Sequence, residues 1–170
     1  DALLPAFTDS RYLTVDGKPI FVVYRANELP DAAAFTDYWR ELALQAGLPG
    51  LYLVAYHLSK WDPVPVSFDG AILTRFPEKR RQWVSWGDPI RKLKGKYLDL
   101  RGLPTIYPYK DVMETFLSDP IPGLDSFPCV LPNWDNTARS GSKGLVFHGS
   151  TPEYFAGHLR SAIAQARENL

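Results

Sequence analysis

Two apolar runs constrain this chain most: IFVVY at residues 20–24 and LYLVAY at residues 51–56. Neither alternates apolar with polar residues, so each reads as a strand covered on both faces, the pattern of a parallel sheet. A helical period lies between them. Asp31 is placed to cap the helix start, and Phe35, Trp39, Leu42 and Ala46 form one apolar stripe. Gly47 ends the helix and Pro49 prevents its return. Strand, helix and strand joined by short turns make a βαβ unit with a right-handed crossover.

The rest of the chain is read against that unit. Residues 1–14 are a helical or irregular lead-in, and Asp16 with Gly17 is a turn. His57 stands at the end of the second strand, and residues 58–68 are loop-like, with Trp61, Asp62, Pro63 and Pro65. Asp69 lies in the turn before a short third strand at 71–73. Residues 103–107 are strand-like. Pro108 opens a helix whose apolar side is Val112, Met113, Phe116 and Leu117, stopped by Asp119 and Pro120. Residues 119–128 are a rigid connector. FPCVLP at 127–132 is expected to be a buried strand ending at Pro132, with Cys129 as a core thiol. Residues 145–147 are extended. Ser150 or Thr151 caps the last helix, Pro152 takes its first position, and Phe155, Leu159, Ala162 or Ile163, and Ala166 supply its buried face. His158 is expected at the surface of that helix.

Composition narrows the function classes. A chain of 170 residues with 45% hydrophobic and 22% charged residues is expected to form a single globular domain. A net charge of zero gives no overall preference for nucleic acid. One cysteine forbids an internal disulfide, and His57, His148 and His158 have no metal spacing, so no metal or cofactor is implied. No glycine-rich phosphate loop or seryl-nucleophile signature is present. No apolar run approaches a membrane span. Five Trp, nine Tyr and nine Phe suit ring-shaped ligands as well as a core. Residues 75–101 hold nine Lys or Arg against three acidic residues, a basic excursion centred on 78–101. It is either a solvated face or a site for phosphate or an anionic sugar.

The densest chemistry follows the apolar run at 127–132: Asn133, Trp134, Asp135, Asn136, Thr137 and Arg139 within seven positions. No helix or strand period explains the mixture. A loop at the end of a strand does, and ligands of α/β folds sit on such loops. The competing explanation is an Asx-type turn, with Asp135 and Asn136 bonding nearby backbone. Tyr24 ends the first strand, Arg25, Asn27 and Glu28 follow it, and His57 follows the second. With parallel strands, the groups after strand ends meet on one rim. Two carboxylates are the minimum for glycoside hydrolysis, and Glu28, Asp62 or Asp69 could each pair with Asp135.

Four segments carry a resemblance: DGKPIFVVYRANELPD at 16–31, FTDYWRELALQAGLPGLYLVA at 35–55, PCVLPNWDNTARSG at 128–141 and FHGSTPEYFAGHLRSAIAQAR at 147–167. Together they resemble the WbsX-type glycosyltransferase-like family, whose domain is similar to the endo-α-mannosidase-like (β/α)₈ barrels. The resemblance implies an α/β fold with mostly parallel strands, part of a TIM-like barrel. It implies saccharide processing in bacterial surface polysaccharide synthesis, such as O-antigen or capsule, by making or cleaving a glycosidic bond. An oligosaccharide or sugar donor is then the partner, and the cytoplasm the expected place. Asp135 is the expected catalytic carboxylate near the reacting sugar, and His57 is the second catalytic candidate, orienting hydroxyls or phosphate with Arg139. Tyr24, Arg25, Trp134, Asn136, Arg139 and Asp69 become the expected substrate contacts. The late NEW-x-EG element of such domains is absent here, as is an upstream WANE-like motif, and Asn27 with Glu28 does not carry that motif's role. A full barrel needs about 250 residues. The chain is therefore expected to be a partial domain with an incomplete catalytic set, completed by the rest of a parent protein or by a second copy. A non-catalytic carbohydrate-binding fragment is one alternative. Another is a nucleotide-sugar transferase that holds a diphosphate on Arg80, Arg81, Arg91 and Lys92.

Overall fold

The structure, a computed structural model, describes residues 2–58, 67–74 and 101–168, with the side chains of residues 57 and 58 outside that description. Trp61, Asp62 and the basic stretch 75–100, with its four candidate diphosphate ligands, also lie outside it. Strands β1 to β8 run over Thr14–Val15, Lys18–Val23, Tyr52–Leu58, Gly70–Thr74, Thr105–Pro108, Asp125–Pro128, Trp134–Asp135 and Leu145–His148. Helices α1 to α5 run over Leu4–Phe7, Ala32–Gln45, Tyr109–Phe116, Thr137–Ser140 and Pro152–Glu168. Two compact units divide the chain. The first is Asp1–Thr74 with Asp119–Pro128 and Glu168–Leu170, and the second is Arg75–Ser118 with Cys129–Arg167.

The first unit is built on a five-stranded sheet in the order β1-β2-β3-β4-β6. β1 pairs antiparallel with β2 through the Asp16–Gly17 turn, and every other pair is parallel. Each new parallel strand joins beside the previous one. That succession belongs to a (β/α) barrel opened along an edge, whereas a doubly wound sheet reverses its order at a switch point. The fold is thus a mostly parallel α/β sheet with flanking helices, a partial TIM-like arrangement. The caps are those the sequence indicates. Asp31 accepts the Ala34 N–H at 2.9 Å. At the other end of α2, Leu48 N–H bonds the Ala43 carbonyl and Gly47 N–H the Leu44 carbonyl, with Gly47 at φ +82°. This is a Schellman ending, which glycine accommodates without strain.

The helix faces the sheet differently from the expected stripe. Phe35 and Trp39 pack inward, but Thr36 and Ala43 are the buried positions, while Leu42 and Ala46 are exposed. Thr36 can enter the core because its hydroxyl is satisfied by the Ala33 carbonyl at 2.9 Å. On the sheet, Leu53 and Ala55 point to the α2 side and are fully buried. Complete burial of a leucine side chain contributes about 1.5–3 kcal/mol. On the opposite face of β2, Val22 is 43% exposed. The run at 20–24 is therefore not covered on both sides as its lack of alternation suggests.

A second correction concerns residues 127–132. The strand is β6, Asp125–Pro128, and it stops before Cys129. Pro128 has no N–H to continue the ladder. Beyond it, the Leu131 carbonyl accepts from the buried Tyr109 hydroxyl at 2.7 Å, which draws the chain into the second unit. Cys129 is half-buried beside that unit's core rather than inside a strand.

The second unit holds a three-stranded sheet, β5-β8-β7, with β5 parallel and β7 antiparallel to β8. Tyr109, Val112, Met113 and Phe116 of α3 pack with Phe147 of β8 as its core. Thr151 caps α5, accepting the Tyr154 N–H at 3.3 Å, with Pro152 behind it as the first helical residue. The buried face of α5 again departs from the expected one. His158 and Ala162 are buried, while Leu159 and Ile163 are exposed. His158, expected at the surface, is 5% exposed and meets the Phe116 ring edge-on at 5.7 Å.

Candidate functional site

In the first unit, the polar residues that follow β2 stand at the carboxyl edge of the parallel sheet. The register pairs Val23 with Ala55, so Tyr24 comes level with Tyr56, and their rings meet at 5.5 Å with a 42° tilt. Arg25 turns the chain out of the strand. It adopts the left-handed conformation, φ 58° and ψ 43°, and leads into a short 3-10 turn over Ala26–Glu28. A left-handed arginine costs about 1–2 kcal/mol that glycine would avoid. Its guanidinium lies 3.1 Å from Glu28 Oε1 and 5.8 Å from the Tyr24 ring centroid. Tyr24 first and Glu28 second push the arginine's pKa upward, so its charge is permanent. The backbone of His57 lies in β3 opposite Leu73 of β4, near the same edge.

Asp69 is placed elsewhere. It precedes β4, at the amino edge of the sheet, so the structure does not bring it together with Tyr24 and Arg25. Its Oδ2 accepts the Leu53 N–H at 2.7 Å and the Arg40 guanidinium at 2.9 Å. These bonds tie α2 to the start of β3 and β4, which is structural work. On the same edge the Tyr52 hydroxyl donates to Asp125. Burial, and then the Asp125 carboxylate, hold that phenol protonated well above its usual range.

In the second unit, most of the amides and carboxylates in the 133–137 cluster are bonded at close range. Asn133 Oδ1 accepts the Trp134 N–H at 2.8 Å. Asp135 Oδ1 accepts both the N–H of Thr137 at 2.8 Å and its hydroxyl at 2.6 Å. Asn136 Oδ1 accepts the Leu145 N–H at 2.7 Å, fastening the end of β7 to the start of β8. The Asx-type turn is thus present at Asp135, whereas Asn136 bonds across to the next strand. Gly144 lets this turn close, since a Cβ there would come within 2.9 Å of Thr137 and of the Gly141 carbonyl. The two Thr137 bonds, side chain first, hold the Asp135 carboxyl below its ordinary 3.8. Asp135 is exposed, and its Oδ2 makes no hydrogen bond among the described residues. Trp134 is half-buried and packs against the core cluster of Tyr109 and Phe116. Arg139 lies on α4 and is exposed.

The family model described as Glycosyltransferase WbsX matches residues 1–170, the whole chain. The chain belongs to the WbsX glycosyltransferase family. Among curated proteins it is similar to an uncharacterized protein, WxcX, from two strains of Xanthomonas campestris pv. campestris. Each is 21% identical over 160 residues, covering 94% of this chain and 22% of WxcX. The chain therefore spans about a fifth of the length of the curated relatives it matches. No solved structure matches it. Among the described residues of this WbsX chain, no helix is long and apolar enough to cross a membrane, and no group of His, Cys, Asp and Glu could hold a metal ion.

Two residues take part beyond the expected catalytic and substrate contacts. Thr137 locks Asp135, and the Asp-x-Thr spacing is a local signal that could have found it. Tyr56 joins Tyr24 only through the β2–β3 register, for which the sequence carries no local signal.

Proposed function

We propose that this chain is the part of a larger WbsX-family protein that holds a saccharide during bacterial surface polysaccharide synthesis, where the whole protein makes or cleaves a glycosidic bond. The observation that carries the reading is the state of Asp135. One oxygen is fixed by Thr137, the other makes no hydrogen bond among the described residues, and the pKa is lowered. A general acid needs the opposite shift. Asp135 is suited instead to accept a sugar hydroxyl, or to face positive charge that builds up on a reacting sugar carbon. In the second unit, Arg139 would orient hydroxyls or phosphate, Asn136 would hold the turn in place, and Trp134 would offer the exposed part of its indole to a ring face. In the first unit, Tyr24, Arg25 and His57 would contact a saccharide at the edge of the parallel sheet.

The test is titration calorimetry of the full chain against manno- and rhamno-oligosaccharides, with wild type and Asp135→Asn. Asparagine retains an oxygen for the Thr137 bonds and removes the charge. A charge-assisted hydrogen bond contributes about 1.5–3 kcal/mol, so affinity should fall about tenfold or more. Unchanged affinity removes Asp135 from the site. A second reading, a binding module without chemistry, is favoured by the use of Oδ1 to hold the turn. It predicts that the whole protein carrying Asp135→Asn loses binding and turnover by the same factor.

A further inference from the structure

We propose that the carboxyl edge of β2 and β3 is a stacking subsite for a neutral pyranose, with Tyr24 and Tyr56 as its floor and the Arg25–Glu28 pair as its wall. The proposal rests on the saccharide reading above and deepens it by naming a sugar class. Four observations support it.

Tyr24 is 67% exposed although its ring touches Tyr56, so aromatic surface faces solvent at a strand end. Side chains two apart on a strand share a face, and Val22, two residues before Tyr24, is also exposed. The apolar surface thus continues along the strand. The second observation is the guanidinium position. At 5.8 Å from the centroid it sits near the outer limit of a cation–π contact and leaves most of the ring open.

The third is backbone strain. Among the described residues, only Asp16 and Arg25 are non-glycine with positive φ. Asp16 belongs to the β1–β2 hairpin turn, where aspartate is tolerated. Arg25 has no such excuse, and strain of this kind collects where a side chain must be aimed at a ligand. The fourth is charge. Arg25 and Glu28 are both largely exposed and bonded to each other, so the wall is neutral as a whole and still offers N–H donors and carboxylate acceptors. A pyranose has a C–H face for an aromatic floor and a rim of hydroxyls that both donate and accept. A uronate at the same place would find the arginine already neutralised and would face the Glu28 carboxylate. An exposed ion pair is worth only about 0–1 kcal/mol, so little is lost when a hydroxyl inserts between its partners.

The experiment uses saturation-transfer NMR and calorimetry on the full chain, with a neutral manno-oligosaccharide and a uronate-containing oligosaccharide of equal length. Wild type should bind the neutral probe more tightly. Tyr24→Ala should weaken it about tenfold, and Tyr24→Phe, which keeps the ring, should retain it. Glu28→Gln should raise affinity for the uronate probe. Unchanged binding in Tyr24→Ala, or a preference of wild type for the uronate, overturns the proposal. Loss in Asp135→Asn without loss in Tyr24→Ala overturns this subsite and leaves the broader saccharide reading standing. Absence of binding to every oligosaccharide in wild type overturns both.

Discussion

The two strand-end clusters of this chain make opposite use of their polar groups. At residues 133–137, a sequence dense in amides, hydroxyls and carboxylate spends most of them locally. Asn133 bonds the next residue's backbone, Asp135 holds Thr137, and Asn136 holds Leu145. At residues 24–28, a plainer sequence leaves an aromatic ring open and keeps an arginine in a strained backbone. A cluster rich in chemistry on paper can be mostly scaffold. A cluster whose backbone pays a strain without an evident structural return is the stronger functional signal.

That contrast can be broken by stability measurements on each side. The largest effect is expected from Gly144→Ala. The added methyl group would press on Thr137 and on the Gly141 carbonyl, and relief requires backbone movement. A loss of about 1–3 kcal/mol is expected in chemical denaturation. Hydrogen exchange should speed up at Leu145 and Thr137 before it does at Leu53 and Val54. A smaller effect tests the second unit's core. Burial, partly offset by the Cys129 carbonyl, lowers the pKa of His158 from 6.5. The folded chain therefore holds His158 neutral, while the unfolded chain takes up a proton below about pH 6.5. Stability from this group is complete above that value and declines as pH falls through it toward the folded pKa. Thermal melts between pH 7 and pH 5 should show the decline, and His158→Phe, which keeps a ring against Phe116, should flatten it. The smallest effect has the opposite sign. Arg25→Gly should leave stability unchanged or raise it by up to about 1 kcal/mol, because relief of the left-handed strain exceeds the added chain entropy. A clear loss of stability in Arg25→Gly would make the 24–28 cluster scaffold as well, and the contrast would vanish.

Much of the fold could be read from local chemistry. The unalternating runs indicated parallel strands, and Asp31, Gly47 and Thr151 marked helix ends where the structure has them. His158 is expected at the surface by its type, and Thr36 falls outside the expected apolar stripe. Thr36 is buried because its hydroxyl is satisfied within its own helix, and His158 because its ring lies against Phe116. The β6 strand begins earlier than its apolar residues suggest, since Asp125 and Ser126 pair with Gly70 and Ala71 whatever their polarity. At the candidate site, the Asx turn and the place of Asp69 before its strand are legible in the sequence, but the bonds of Asp69 to Leu53 and Arg40 join distant parts of the chain. The pairing of Tyr24 with Tyr56 depends on strand register in the same way.

The central claim is that the 24–28 cluster at the edge of the parallel sheet contacts a saccharide. The most direct measurement is a two-dimensional NMR titration of the full chain with a neutral manno-oligosaccharide, following the rings of Tyr24 and Tyr56 and the guanidinium of Arg25. All three resonances should move together with a single saturation curve. Saturable binding that shifts other residues and leaves these three in place would contradict the claim.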